Sequence, residues 1–170
     1  MDKLWSPWRS NYIESFKTKK DSDDCVFCEA LKHPIDSKGS LIVYKNKLCY
    51  VMLNLYPYNS GHLMVIPNKH ISDIHNLSQD EMNEMMSTVR LSMKALERAI
   101  KPQGMNFGAN LGKAAGAGID SHLHFHVVPR WSGDINFMPA IGEVKIISQD
   151  LLVTKKKLIN SFNEILKTDK

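Results

Sequence analysis

Apolar and polar residues alternate most strictly in the stretch HLHFHVVP, where single apolar residues separate His122, His124 and His126. Strict alternation predicts a half-buried strand, in which residues two apart line the same face. The apolar residues would therefore face a core and the three imidazoles the opposite side. Pro129 has no backbone donor and is expected to end the regular strand. Solvent faces are usually filled with Lys, Glu, Thr and Ser, so three identical titratable rings indicate a functional face.

Apolar runs bounded by turn residues predict four further strands, over 40–46, 48–54, 62–68 and 104–111. The clearest helix covers 78–100, because Ser78 and Glu81 form a capping box. Its apolar positions recur at helical spacing and are expected to face the core: Met82, Met85, Met86, Val89, Met93, Leu96 and Ile100. A short helical turn is expected over 29–33 and a terminal helix over 148–167. Strands predominate around one long helix, which predicts an α+β fold with a mainly antiparallel sheet.

Length and composition are those of an ordinary globular domain. The 170 residues favour one domain, with 43% hydrophobic and 24% charged residues. The net charge of +4 would help to attract a polyanionic ligand such as a nucleotide, but it does not indicate nucleic-acid binding. No apolar run is long enough to span a membrane, and the N-terminus lacks the apolar core of a signal peptide. We therefore expect a cytoplasmic protein without a membrane partner.

Three cysteines, an odd number in a reducing compartment, argue against a disulfide framework. Cys25 and Cys28 in CVFC have the spacing of a metal or redox pair. With His70 and one triad histidine they would complete a Cys2His2 set, the composition of a structural zinc site. A redox role is less favoured, because no parallel βαβ pattern surrounds the pair. Cys49 lies in a predicted strand and is expected to be buried as a small apolar residue.

The loop GKAAGAGIDS leads directly into the histidine strand. Its glycines Gly112, Gly116 and Gly118 let the backbone approach a ligand and turn N–H groups toward phosphate oxygens. The alternative is a flexible connection between strands. An imidazole that faces a phosphate can donate a proton, bind a metal or attack phosphorus. A catalytic metal site is the weaker interpretation, because no clear set of carboxylates accompanies the histidines.

The segments CVFC, VMLNLYPYNSGHLMVIPNKH, NLGKAAGAG and HLHFHVVP follow one another over residues 25–129. In this order they resemble the histidine-triad (HIT) family of nucleotide hydrolases and transferases. LWSPWRSNYI and VVPRW resemble the bacterial branch that contains diadenosine tetraphosphate phosphorylases and related hydrolases. The resemblance implies a HIT-like fold and a homodimer. We divide the chain into an N-terminal arm (1–24), a HIT domain (25–147) and a C-terminal helix packed on it (148–170).

The resemblance also implies roles for individual residues. His124 corresponds to the nucleophile, His126 to a residue that contacts phosphate and supports the leaving group, and His62 to a residue near the phosphate. Asn54 falls where the family contacts the ribose or orients the site. The structural zinc ligands of zinc-containing members correspond to Cys25, Cys28, His70 and His122. Further contacts with the nucleotide substrate are expected from Asn110, Gly112, Lys113, Gly116, Gly118 and Ser121.

One departure from the family pattern concerns the loop before the triad. Many members have a glutamine near the transferred phosphate, whereas Ala117 stands here and the loop is one residue longer. Backbone N–H groups, Ser121 or Lys113 would have to replace it, which leaves open whether water or phosphate is the acceptor. Cleavage of diadenosine polyphosphates is the leading interpretation. The alternatives are a nucleoside phosphoramidate hydrolase and a non-catalytic nucleotide-binding protein, against which the intact triad with His62 and Asn54 argues.

Overall fold

The chain forms a five-stranded antiparallel sheet with three helices, in a computed structural model that describes residues 25–37, 39–134 and 150–168. The helices are α1 (Val26–Lys32), α2 (Gln79–Ile100) and α3 (Leu151–Thr168). The strands are β1 (Ile42–Lys45), β2 (Cys49–Leu53), β3 (Leu63–Pro67), β4 (Gly104–Gly108) and β5 (Phe125–Arg130). Their order is β1-β2-β3-β5-β4, and all neighbours are antiparallel. The α+β prediction is confirmed, whereas the arm 1–24 lies outside the described residues.

The two faces of the sheet carry different layers. Phe125 and Val127 of β5 lie in the main core with the buried residues of α2 and α3. On the opposite face, Met64 belongs to a second apolar cluster with Phe27 of α1, and it pairs across the strands with His126. Paired residues of an antiparallel ladder share a face. The even-numbered histidine face and α1 therefore lie on the same side, away from the long helices.

The histidine strand differs from the prediction at both ends. Regular pairing starts only at Phe125, so His122 and His124 precede β5. Pro129 does not end the strand, because it pairs with Met105 and β5 continues to Arg130. The carbonyl of Pro129 accepts a hydrogen bond from Asn59 Nδ2 at 3.1 Å, so its polar backbone faces the loop before β3. In an antiparallel strand the N–H and the carbonyl of one residue point to the same side. The N–H that Pro129 lacks would therefore point away from β4, and no hydrogen bond between β4 and β5 is lost.

Helix α2 begins and ends much as its sequence predicts. Ser78 caps it, and the capping box with Glu81 is present. Met85, Val89 and Leu96 are buried, but Met86 is 39% exposed, so the prediction that Met86 faces the core was wrong. Successive helical side chains point about 100° apart, and the position of Met85 directs the next residue away from the sheet. Thr88, one turn after Met85, is buried and accepts a hydrogen bond from the Cys49 thiol at 3.3 Å.

Helix α3 covers α2 and β1 on the side of the main core. Leu158 and Phe162 are buried, and the Phe162 ring stacks on Tyr44 with centroids 5.0 Å apart. Lys155 is also buried, and its ammonium group donates to the carbonyls of Ile35 at 2.5 Å and Ser40 at 2.6 Å. The helix thereby fixes the segment between α1 and β1. Within the described ranges, no helix is long and apolar enough to cross a membrane.

Candidate active site and metal centre

His124 lies beside Phe27 of α1 and His126, with ring centroids 5.0 and 4.8 Å away, and one of its ring nitrogens is unprotonated. Its Nδ1 lies 2.9 Å from the carbonyl oxygen of His122. A carbonyl can only accept, so Nδ1 carries the hydrogen and Nε2 keeps its lone pair. This contact forms because His122 precedes the regular strand. Burial lowers the pKa of His124, although the bond to the carbonyl opposes the shift. The ring is thus neutral and suited to attack an electrophile.

His62 and His126 form a second pair with a defined direction of hydrogen bonding. The backbone N–H of Tyr58 donates to His62 Nδ1 at 3.0 Å, so the hydrogen of a neutral His62 ring is on Nε2. That Nε2 lies 2.9 Å from His126 Nδ1 and donates to it. The hydrogen of His126 is therefore on Nε2, which is buried and has no partner in the described part of the chain. Burial, and to a smaller extent the nearby His124, lower the pKa of His126 to about 4.

The side chain of Asn54 contacts His62 and the backbone of Tyr56. Its Oδ1 accepts from the backbone N–H of Tyr56 at 2.9 Å, which directs the amide nitrogen the other way. Asn54 Nδ2 lies 3.3 Å from His62 Nδ1. Two donors thus face the same nitrogen of His62 and reinforce its tautomer. Of the two roles that the sequence left open for Asn54, the geometry supports orientation of the site.

A cavity of about 400 Å³ opens beside His126 on the histidine face of β4 and β5. Its volume lies within the range of small-molecule sites. The residues that line it are Tyr58, Asn59, Asn106, Phe107, Gly108, Ala109, Asn110, His126, Val128 and Arg130. The ring of Tyr58 covers the two neutral imidazoles, with centroids 4.7 Å from His62 and 5.7 Å from His126. The cavity therefore begins beside the His126 ring, whose Nε2 is buried.

A cluster of two cysteines and two histidines lies at the opposite end of the triad. The Nδ1 atom of His122 is 3.2 Å from Cys25 Sγ and 3.7 Å from Cys28 Sγ, and His70 Nδ1 is 3.4 Å from Cys28 Sγ. All four ligand atoms lie within 4.8 Å of one another. Sulfur and nitrogen ligands of a tetrahedral zinc ion are separated by roughly 3.5 Å. The four residues therefore fit a zinc ion.

The local fold explains how the cluster forms. Helix α1 begins at Val26 rather than near residue 29, because the N–H of Glu29 already bonds to the carbonyl of Cys25 at 2.9 Å. Cys25 and Cys28 consequently lie one turn apart on one side of α1. His122 Nε2 donates to the Pro67 carbonyl at 3.0 Å, which leaves Nδ1 unprotonated toward the cysteines. Burial lowers the pKa of His122, which favours the neutral form that a metal requires.

The glycine loop lies outside the cavity for most of its length. The N–H groups of Ala115, Gly116 and Ala117 bond to carbonyls of Gly112 and Lys113, so three amides are used within the loop. The Lys113 ammonium forms an exposed ion pair with Asp120 at 3.7 Å. Of the expected substrate contacts, only Asn110 lines the cavity. The residues that do not are Asn54, Gly112, Lys113, Gly116, Gly118 and Ser121.

Several cavity residues were not predicted from the sequence. Asn106 pairs across the strands with Val128, so both share the face of His126. Arg130 continues the same even-numbered face of β5. Alternation along HVVPR could have placed Arg130 beside the site if the strand had been extended past Pro129. Tyr58 could have been found only from the turn that positions His62.

Comparison with known proteins finds similar sequences and a similar fold. Residues 37–133 match a family model described as HIT domain. The chain is 40% identical over 163 residues to AP-4-A phosphorylase of Mycobacterium tuberculosis H37Rv, covering 93% of this chain and 83% of that protein. It is 30% identical to an asymmetrical bis(5′-nucleosyl)-tetraphosphatase of Schizosaccharomyces pombe, covering 58% and 53%. A crystal structure of a Zn-bound histidine triad family protein from Mycobacterium smegmatis superposes with a TM-score of 0.68, at 23% identity and covering 85% and 97%.

Proposed function

Since the chain belongs to the HIT domain family of nucleotidyl hydrolases and transferases, we propose that it cleaves dinucleoside polyphosphates at an α-phosphate through a nucleotidyl-His124 intermediate. The observation that supports this proposal is that two adjacent rings have opposite hydrogen-bonding roles at Nε2. His124 offers a lone pair on Nε2, and His126 offers a hydrogen on Nε2. Their ring centroids are 4.8 Å apart, so one substrate phosphate can meet both.

In the first step His124 Nε2 attacks the α-phosphorus. A nitrogen–phosphorus bond forms, the bond from phosphorus to the leaving oxygen breaks, and its electron pair stays on that oxygen. The attacking ring gains positive charge, which the carbonyl of His122 stabilises through Nδ1–H. His126 Nε2–H bonds to the oxygen on which negative charge develops. His62 holds that hydrogen on Nε2 by donating to the opposite nitrogen.

In the second step an acceptor attacks the phosphorus of the intermediate and His124 leaves as the neutral ring. Water as acceptor gives a nucleoside monophosphate, and inorganic phosphate gives a nucleoside diphosphate. The M. tuberculosis relative, which is named a phosphorylase, supports phosphate as the acceptor. The S. pombe relative, which is named a tetraphosphatase, supports the same type of substrate.

A nucleoside phosphoramidate hydrolase is the second candidate, because the same two rings would serve it. The state of His126 favours the first candidate. A phosphate oxygen, whose second pKa is about 6, departs as an anion at neutral pH and needs only a hydrogen bond. An amine must take a full proton when it departs. A buried, neutral His126 with its pKa near 4 is a hydrogen-bond donor and a poor source of that proton.

We further propose that Cys25, Cys28, His70 and His122 hold one structural zinc ion. The support is the agreement of their spacing with tetrahedral ligands and the unprotonated nitrogen of His122. Four protein ligands leave no open position for substrate, so the ion would supply stability and no chemistry. It would join α1 to the segment before β5 and thereby fix the carbonyl that orients His124.

Product analysis tests the proposed reaction. Purified protein is incubated with diadenosine tetraphosphate, with and without inorganic phosphate, and nucleotides are separated by chromatography. We expect ADP and ATP with phosphate if the protein is a phosphorylase, or AMP and ATP in water if it is a hydrolase. The His124→Asn protein is the control and should give no product. Absence of turnover by the wild-type protein, or cleavage of adenosine phosphoramidate alone, would refute cleavage of dinucleoside polyphosphates.

A further inference from the structure

We infer that the groove between β4 and β5 binds the leaving half of the substrate, a chain of phosphates that continues beyond the cleaved bond. The inference rests on the proposed function and adds a subsite to it. The groove starts at His126 and follows Val128 and Arg130 on one face of β5. Four residues of strand correspond to roughly 13 Å. A small leaving group such as ammonia would leave this length unused.

The floor of the groove is open beside the reacting groups because β4 carries a glycine there. Gly108 pairs with His126 across the strands and lines the cavity. A Cβ atom built on Gly108 would meet no atom within 4 Å, and that excludes contact with the His126 ring. The first atom of a larger side chain at this position would therefore occupy the groove rather than contact the protein around it. The glycine therefore leaves room for a ligand next to the His126 donor.

The near end of the groove offers a buried donor. His126 is 8% exposed, and its Nε2 has no hydrogen-bond partner among the described residues. Buried polar groups are nearly always paired, so a donor left without a partner on a ring beside a cavity indicates a ligand. Because His62 fixes the hydrogen on Nε2, the ligand atom must be an acceptor. An oxygen of the leaving phosphate satisfies this requirement.

At the far end of the groove, the carboxylate of Asp134 holds the guanidinium group of Arg130 in a fixed orientation. Arg130 donates through Nε and one terminal nitrogen to Asp134 at 2.7 and 2.8 Å, and through the other nitrogen to Asn106 Oδ1 at 2.8 Å. Three of the five N–H groups are thus used, and the other two have no acceptor among the described residues. The Asp134 side chain is only 9% exposed, whereas that of Arg130 is 36% exposed. The carboxylate therefore lies behind the guanidinium group, which faces outward.

The amides along the groove extend this set of donors. Asn106 uses its oxygen to accept from Arg130, so its amide NH2 is directed elsewhere. No carboxylate is among the residues that line the cavity. Arginine in a fixed orientation is well suited to phosphate oxygens. A series of donors without an acidic lining fits an anionic chain better than an uncharged amine or alcohol.

Ligand binding without turnover tests the inference. The His124→Asn protein is titrated calorimetrically with AMP, which lacks the leaving half, and with diadenosine tetraphosphate, which carries it. Adding Gly108→Val should weaken binding of the tetraphosphate at least tenfold and change AMP affinity less than twofold. Gly104→Val is the matched control, because it lies on the same strand, meets no atom within 4 Å at Cβ and does not line the cavity. It should change neither affinity more than twofold.

A second variant keeps the test decisive if Gly108→Val does not fold. Arg130→Gln, at the far end of the groove, should also weaken the tetraphosphate selectively. Equal weakening of both ligands, unchanged tetraphosphate affinity in a folded variant, or no tetraphosphate binding by His124→Asn would overturn the inference. Failure of the proposed function has a different signature, namely wild-type protein that neither turns over the tetraphosphate nor becomes labelled at His124.

Discussion

At the scale of single residues, the site depends on which ring nitrogen carries the hydrogen in three imidazoles. The Tyr58 amide makes His62 a donor at Nε2, and His62 makes His126 a donor in turn. The His122 carbonyl gives His124 the opposite arrangement, with the lone pair on Nε2. Two rings of the same chemical type thereby acquire complementary functions, His124 from a backbone carbonyl and His126 from a backbone amide acting through His62. Replacing one ring should therefore affect its neighbour.

Replacement of His62 tests this coupling. His62→Phe keeps a ring but removes the donor to His126 Nδ1, so the hydrogen of His126 is no longer held on Nε2. We expect turnover of diadenosine tetraphosphate to fall about 100-fold, which is the lower range for proton-handling groups. His62→Gln retains an amide that can donate to the same nitrogen and should recover part of the loss. Equal rates for the two variants in steady-state assays would contradict a hydrogen-bonding role.

The depressed pKa of His126 predicts a dependence of stability on pH. Folded His126 has a pKa of about 4 against an ordinary value of 6.5, so the unfolded chain binds more protons between these values. The stabilisation is complete above pH 6.5 and is lost as pH falls toward 4. His122 and His124 shift in the same direction. Urea unfolding of His126→Asn should show a smaller decrease of stability between pH 7 and 5 than the wild-type protein. A decrease of the same size would disprove the assignment.

At the scale of elements, α1 and α3 hold the site from opposite sides. Helix α1 carries two of the four proposed zinc ligands, and α3 reaches the segment after α1 through Lys155. The sequence predicted the ligand types and the capped helix α2. It did not predict that the Cys pair lies within a helix or that Lys155 is buried, because the carbonyls that satisfy a buried lysine come from residues about 115 positions away.

Loss of zinc should weaken the attachment of α1. We expect about one zinc ion per chain, and Cys28→Ser should lower both the zinc content and the melting temperature. Cys49→Ala is the matched control, since Cys49 is buried and lies outside the cluster. It should keep the zinc while it loses some stability from the cavity left in the core. Wild-type protein without zinc by elemental analysis would contradict the assignment.

The contacts of Lys155 predict a structural cost for its removal. Lys155→Met keeps most of the aliphatic stem but leaves the carbonyls of Ile35 and Ser40 without the ammonium donor. We expect the free energy of unfolding to fall by about 1–3 kcal/mol, typical of an unsatisfied buried polar group. Lys156→Met, at an exposed position of the same helix, should change it by less than about 0.5 kcal/mol. Chemical denaturation compares the two, and equal effects would refute the role of Lys155.

At the scale of the whole molecule, local patterns predicted more of the fold than of the cavity. Alternation predicted the histidine strand and its face, apolar runs between turns predicted the other four strands, and helical spacing predicted α2, because each of these patterns depends on neighbours in sequence. The cavity depends on strand order, which places β4 beside β5 and brings Asn106 opposite Val128. Register between distant strands is not encoded in a local pattern. Gly108 could therefore not be assigned to the site from sequence alone, whereas Arg130 could have been assigned only by extending the alternation past Pro129.

Strand order also indicates which surface would form the interface of the expected homodimer, namely the exposed edge of β4. Helix α3 covers part of α2, whereas β4 lies at the edge of the sheet and exposes Phe107. An unprotected edge strand is suited to pairing with another chain. We expect light scattering to give twice the chain mass of 19.3 kDa. Phe107→Asp should produce monomers, and Leu152→Asp, at an exposed position of α3, should not. A wild-type mass near 19.3 kDa would disprove the dimer.

The central claim is that His124 carries the nucleotide during turnover, and trapping that species is its most direct test. Wild-type protein is mixed with diadenosine tetraphosphate, quenched rapidly without acid, digested and analysed by mass spectrometry. We expect one added adenylyl group on the peptide that contains His124, and none in the His124→Asn protein. A label on His122 or His126, or wild-type turnover that persists in His124→Asn, would contradict the account.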